Sequence, residues 1–303
     1  MFTAKRLLTA ACLTAPLLLS PTASAIVVTD WNYTLNSSFT EFNAGVTGTV
    51  PNSLLGGSTN LAWGNPFNNN GENPTLQQSS LFIDNAGTNS GSVQTGGATV
   101  DTSIYTHNNF VITGDTLTSA TLLDVLTLDP ELPIPPATAG DGDSFSAPPL
   151  TFAIEFIETP NFWDNLDPGD GNGLCPEGVP VNENGCGDVF VLNVAGAGFN
   201  PDTLSFFQLF TFGDEDEMEL YAASIFLQNT DTGEGLVPLS DEACEEAGAD
   251  VNCLGMVTAE GVVNQFQAAF RIDHLRTIPE PGVLALMALG LLAMGGLKRK
   301  RAA

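Results

Sequence analysis

Short runs of alternating apolar residues, bounded by Gly, Asn, Asp and Pro, recur along this chain and constrain its fold more than any other feature. Ser79-Ser80-Leu81-Phe82-Ile83-Asp84, Ser103-Ile104-Tyr105-Thr106 and Asn109-Phe110-Val111-Ile112-Thr113 come first. Residues 150–157, 188–192, 204–212, 217–227 and 262–272 follow the same style. Such runs are short and rich in β-branched and aromatic side chains, as the strands of a sandwich are. Residues 117–128 fit either helix or strand by periodicity, and Thr118, Thr121 and Thr127 favour strand. No alternation of strand and helix units is visible, and no repeat of fixed period. Residues 129–149 are rich in proline and form a loop between two groups of strands. The expectation is an all-β fold, an antiparallel and jelly-roll-like β-sandwich, built as one domain over residues 26–277. Its earlier half, poorer in strong apolar strands, should borrow its core from the later half.

Both ends carry targeting segments that stand apart from that fold. Lys5 and Arg6 precede an apolar run at 7–20, too short and too broken for a membrane span, and then Ala23-Ser24-Ala25. That order is a signal peptide, 1–25, whose helix is cut by signal peptidase after Ala25. Cys12 belongs to its apolar run, since Thr9 stands where a lipoprotein signal wants leucine. At the other end, 278–303 hold Pro279-Glu280-Pro281, an uncharged stretch at 282–297, and Lys298-Arg299-Lys300-Arg301. Sixteen uncharged residues in a helix reach roughly 24 Å against a hydrocarbon core of about 30 Å. The basic side chains can snorkel to cover the difference. The basic cluster then stays in the cytoplasm and the rest lies outside, an orientation in agreement with the signal peptide.

Charge excludes whole classes of partner. Of eight Lys and Arg residues only Arg271 and Arg276 lie between the two targeting segments, against all 35 acids, so residues 26–281 carry −33. Nucleic-acid binding needs cations along phosphates and is excluded. Anionic lipid surfaces would repel this segment. Self-repulsion on this scale works against compaction, so divalent cations would help the fold, although an acidic exported protein needs no other explanation. The best calcium candidate is the loop containing Asp164, Asp167, Asp170 and Asn172, where closely spaced oxygens alternate with Gly. It lacks the EF-hand register, and a solvated turn explains it equally. Cys175, Cys186, Cys244 and Cys253 make an even set in an exported chain, which points to disulfides. Cys175–Cys186 and Cys244–Cys253 are the simplest pairing of three possible.

The C-terminal Pro-Glu-Pro, apolar helix and basic cluster together resemble the PEP-CTERM sorting signal. That resemblance implies an exosortase as processing partner and transient residence in the inner membrane. The destination is then the cell surface or extracellular space, with exopolysaccharide and biofilm matrix as surroundings. Thr106-His107-Asn108-Asn109, with Leu61-Ala62-Trp63-Gly64-Asn65-Pro66 and Phe156-Ile157-Glu158-Thr159-Pro160-Asn161, resembles the THxN family of PEP-CTERM proteins. The resemblance covers about residues 30–195 and brings no known activity. Two readings of the motif stand open. With Thr106, His107 and Asn109 as the family motif, either His107 and Asn109 are polar ligands at the rim of a sheet, for a metal or a sugar hydroxyl, or Thr106, His107 and Asn108 hydrogen-bond a bend and hold register.

Only His107 and His274 are available as imidazole bases, and neither accompanies a nucleophile elbow. The expectation is therefore a non-catalytic surface protein. The alternative is a calcium-dependent carbohydrate-binding module with Trp31, Trp63 or Trp163 lining a groove. A glycoside hydrolase, third, would need two convergent carboxylates in a cleft.

Overall fold

A computed structural model describes residues 27–67, 76–131, 145–147, 149–159, 186–195, 198–200, 202–213, 218–230, 233, 235–251, 253–259 and 261–277. The strands run β1 (Asp30–Phe42), β2 (Thr47–Gly48), β3 (Asn60–Trp63), β4 (Asn65–Pro66), β5 (Ser79–Ile83), β6 (Thr88–Gln94), β7 (Val100–Asn108), β8 (Ile112–Thr113) and β9 (Ser119–Glu131). Then come β10 (Phe145–Ser146), β11 (Leu150–Ile157), β12 (Asp188–Ala195), β13 (Gly198–Asn200), β14 (Ser205–Phe212) and β15 (Glu219–Asn229). The last three are β16 (Val237–Pro238), β17 (Leu254–Thr258) and β18 (Val263–Thr277). Among the described residues α1 (Asp241–Glu246) is the one α-helix, capped by the Ser240 hydroxyl, which accepts from the Ala243 N–H. The signal peptide, the acidic loop with Asp164, Asp167, Asp170 and Asn172, and Pro279 to the end lie outside the described residues.

Two eight-stranded sheets form the body. One is ordered β16-β17-β12-β11-β9-β1-β6, with β10 also on β9, and the other β13-β14-β15-β18-β7-β5-β3-β2. Neighbouring strands pair antiparallel throughout. The architecture is thus the expected antiparallel sandwich, with eight strands in each sheet rather than the eight in all of a jelly roll. Both sheets draw strands from either side of the 129–149 segment.

The period-two pattern explains the core. Leu150, Phe152, Ile154 and Phe156 of β11 point inward, while Thr151, Ala153, Glu155 and Ile157 are half-buried. They meet Leu61, Trp63, Leu81, Tyr105, Phe206 and Phe266 of the opposite sheet. A second cluster packs Trp31, Tyr33, Leu126 and Leu128 against Phe210, Tyr221, Phe270 and Ile272. In β12, Asp188, Val189, Phe190 and Val191 are all buried, because α1 covers its outer face through Ala243 and Ala247.

Three local features differ from expectation. Strand β1 falls in a stretch read as poor in strands, yet it holds thirteen residues and lies between β9 and β6. Its signal was present in the alternation of Trp31, Tyr33 and Leu35. Strand β9 continues through Asp129, Pro130 and Glu131, past the expected loop boundary, because β1 supplies partners as far as Asp30. The Thr106-His107-Asn108 motif is no bend: it is strand, paired to β5 and β18.

Cys244 and Cys253 are bonded to each other, with Cα atoms 5.7 Å apart, tying α1 to the segment entering β17. Cys186 is also disulfide-bonded; its expected partner Cys175 lies outside the described residues. The Cys244–Cys253 bridge closes a short loop and should stabilise by about 2–3 kcal/mol through unfolded-state entropy. Replacing both cysteines with serine is expected to lower the urea-unfolding free energy by that amount. A loss below about 0.5 kcal/mol would mean that α1 is held by packing alone.

The two ends of the sandwich are distinct. The Val28 N–H donates to the Tyr221 hydroxyl at 3.0 Å, and Tyr221 pairs with His274. The start of the described chain and Thr277 therefore lie at one pole. At the far end of β18, Val263 and Asn264 pair with Asn108 and His107. At about 3.3 Å per residue the fifteen residues of β18 put roughly 45 Å between these poles.

Candidate functional site

The distal pole holds a buried polar cluster, assembled from both sheets. On β7 the inward face carries Ser103, Tyr105, His107 and, just past the strand, Asn109, all buried. Facing them, Thr258 pairs with Asp188. Glu158 follows Ile157, the partner of Val189, and so stands beside Asp188 in the next strand. Thr258, Asp188 and Glu158 thus form one row across three strands, roughly 9–10 Å long.

His107 and Trp63 span the two sheets to meet that row. The His107 Nδ1 lies 3.0 Å from Thr258 Oγ1. The Thr258 hydroxyl spends its own proton on the Asp188 carbonyl oxygen at 3.3 Å, so His107 Nδ1 is the donor and Nε2 carries the lone pair. Trp63 stacks on the imidazole with ring centroids 5.6 Å apart, and Phe156 and Phe190 present edges at 5.6 Å and 4.9 Å. The Trp63 indole N–H donates to Glu158 Oε2 at 3.1 Å across 95 residues of sequence. Gly64 turns the chain after Trp63 at φ +75°, and a Cβ there would lie 2.2 Å from Ile112 Cδ1.

Burial sets the protonation states. It lowers the His107 pKa to about 3, so the ring is neutral at ordinary pH. It pushes the Glu158 carboxyl up to about 7, opposed by the Trp63 hydrogen bond. Four atoms here are buried without a hydrogen-bond partner: His107 Nε2, Asn109 Oδ1, Asn109 Nδ2 and Glu158 Oε1. Asp188 is well satisfied on one oxygen, which accepts from the Thr159 N–H at 2.9 Å and from its hydroxyl.

The sequence-level site residues separate accordingly. Thr106 is buried and accepts from the Gln265 amide at 3.3 Å, while His107 and Asn109 come together in the interior rather than at an exposed rim. Trp31 and Trp63 are fully buried, so neither lines an open groove; Trp163 lies outside the described residues. Glu158 was quoted only inside the Phe156–Asn161 segment of the resemblance and Asp188 only as the start of a strand run, while Thr258 was not singled out; nothing local marks any of them as partners of His107 or Trp63. Ala23, Ala25, Pro279, Glu280, Pro281, Cys175 and the calcium candidates fall outside the described residues.

Two further polar groups sit between the sheets. Asp124 on β9 is buried, and burial pushes its carboxyl up to about 6. The Ser37 and Tyr105 hydroxyls pull weakly the other way, although Ser37 Oγ and Asp124 Oδ1 miss hydrogen-bonding geometry. Beside it is a cavity of about 40 Å³ lined by Leu122, Phe152, Leu192 and Phe206, far below the 300 Å³ or so that a small-molecule pocket needs. At the proximal pole His274 Nε2 lies 2.6 Å from Glu219 Oε2, whose residue is fully buried.

Fold and tail together define an antiparallel β-sandwich whose last central strand runs directly into a sorting segment. Residues 277–300 match the model of the PEP-CTERM protein-sorting motif. This match supports processing by an exosortase and is consistent with export through the membrane to the cell surface. No curated protein matches the chain.

Proposed function

We propose that this is a non-catalytic surface protein of the THxN type, processed at both ends and associated with exopolysaccharide in a biofilm or floc matrix. The observation that carries the reading is the sorting motif at 277–300, which begins on Thr277, the last residue of β18. Signal peptidase and exosortase are the processing partners, and the inner membrane holds the chain only in passage. Because Val28 and Thr277 share a pole, the distal pole with His107 faces away from the membrane in that intermediate. A non-catalytic role is supported by the closed setting of His107, which no substrate in solution can reach. Calcium at Asp164, Asp167, Asp170 and Asn172 would offset part of the −33 charge and belongs to the same proposal.

The processing is tested by mass spectrometry of surface material from the native host. The dominant form should begin at Ile26 and end near Pro279. Recovery chiefly of chains that still contain 282–297 would remove the exosortase step. Trypsin finds only Arg271 and Arg276 between the targeting segments, so an acidic-residue protease is the right reagent.

A further inference from the structure

The proximal pole holds a buried carboxylate with one oxygen unmet. Glu219 is 1% exposed. Its Oε2 lies 2.6 Å from His274 Nε2, while its Oε1 is buried with no hydrogen-bond partner among the described residues. Such an oxygen calls for a proton donor, and a charged donor serves it best. The front of the chain comes to the same place. Val28 is fully buried, its N–H donates to the Tyr221 hydroxyl at 3.0 Å, and Val27 before it is half-buried. Tyr221 and Glu219 share the inward face of β15, and the Tyr221 ring lies 5.4 Å from that of His274. Burial raises the Tyr221 pKa, the Val28 hydrogen bond opposes that rise, and the Glu219 charge adds to it. The Ile26 nitrogen stands two residues before that of Val28, so covalent geometry holds it within about 7 Å of this hydrogen bond.

We propose that the α-ammonium freed at Ile26 by signal peptidase pairs with Glu219 Oε1 and locks the proximal pole. The inference rests on cleavage after Ala25, the reading given above. Before cleavage the Ile26 nitrogen is a neutral peptide N–H. Afterwards it is a cation with three donors, close to an acid with one oxygen open. Residues 26–281 contain no lysine, so this segment has no other ammonium to offer. The main chain of Glu219 pairs with Thr277, where the sorting motif begins. The ion pair therefore fastens the front of the mature chain to the strand pair from which the sorting segment leaves. Removal of the signal peptide firms that exit before exosortase acts.

The lack of lysine also gives a direct test. Chains running to Ala303, held in detergent, are released from a fusion partner by a protease that leaves either Ile26 first or Ala25 in front of it. A brief acetylating pulse, read by mass spectrometry of the N-terminal peptide, reports access to the α-amine; Lys298 and Lys300 fall in a different peptide. In the folded chain that starts at Ile26 the amine should acetylate roughly tenfold or more slower than in urea, and Glu219→Gln should restore the fast rate. The chain that keeps Ala25 should label fast and show an unfolding equilibrium constant roughly tenfold larger. If Glu219→Gln does not fold, the Ala25 comparison decides. Native labelling of Ile26 at the urea rate would overturn the pairing. Slow labelling that Glu219→Gln leaves unchanged would overturn it too, by showing burial without an ion pair, as would equal labelling and stability of the two chains. The fusion protease sets the first residue, so these results stand wherever the native signal peptidase cuts. Mass spectrometry of host material answers that point separately.

Discussion

Asp124→Asn is expected to stabilise the protein by about 3 kcal/mol at pH 8 and by almost nothing near pH 3. Burial raises the Asp124 carboxyl from 3.8 to about 6, and each unit is worth about 1.4 kcal/mol. A raised carboxylate pKa means that the folded state binds the extra proton between those values. The stabilising contribution is therefore complete below the unfolded pKa and lost as pH rises through about 6. At pH 8 the wild type holds a charge between its sheets that asparagine does not have. The amide keeps the shape, and the Ser37 and Tyr105 hydroxyl oxygens can accept from it. Urea unfolding of both proteins across pH 3 to 8 measures the difference and cancels every other titrating group. A difference that stays flat with pH would show that Asp124 is solvated as in the unfolded chain.

The second large effect is at Trp63, which should cost roughly 3–5 kcal/mol when truncated to alanine. It is fully buried, stacks on His107 and packs edge-on against Phe156 at 5.5 Å. Trp63→Phe separates packing from hydrogen bonding. It keeps most of the ring but deprives Glu158 Oε2 of its donor, for an expected loss of about 1–3 kcal/mol. Equilibrium unfolding at pH 8 reads both. A cost below 1 kcal/mol for Trp63→Ala would mean that the distal cluster is loosely packed and that Trp63 is no support for His107.

Those two predictions rest on different kinds of legibility. Asp124 lies in a run that periodicity left between helix and strand and that its threonines tipped toward strand; as strand, Leu122, Asp124 and Leu126 share one face, and the face is inward. That it is inward could be read from the leucines. That Ser37 and Tyr105 lie beside it could not, because Ser37 is its partner on β1 of the same sheet and Tyr105 comes from β7 of the other sheet. Trp63 and Glu158 were both visible inside quoted segments of the resemblance, but they stand 95 residues apart and nothing local pairs them. Strand β1 shows the middle case. Its Trp31, Tyr33, Leu35 alternation was there to be read, diluted by polar residues that β6 and β9 leave half-exposed.

By itself the sequence determined the all-β class and the sorting segment at the C-terminus, and it offered Cys244–Cys253 as part of the simplest of three pairings. Each of these is local: period two within one strand, two cysteines a short loop apart, and a contiguous run of Pro-Glu-Pro, apolar and basic residues. Only the tertiary structure decided that Thr106-His107-Asn108 is paired strand and that His107 and Asn109 are sealed inside. It alone decided that Thr258 meets His107 and Glu158 meets Trp63, and that Val28 and Thr277 leave by the same pole. The reason is that an antiparallel strand leaves its partner open. Residues 107 and 258, or 63 and 158, become neighbours only when two sheets close over one core, and the burial that sets their pKa values and strips their partners exists only after that closure.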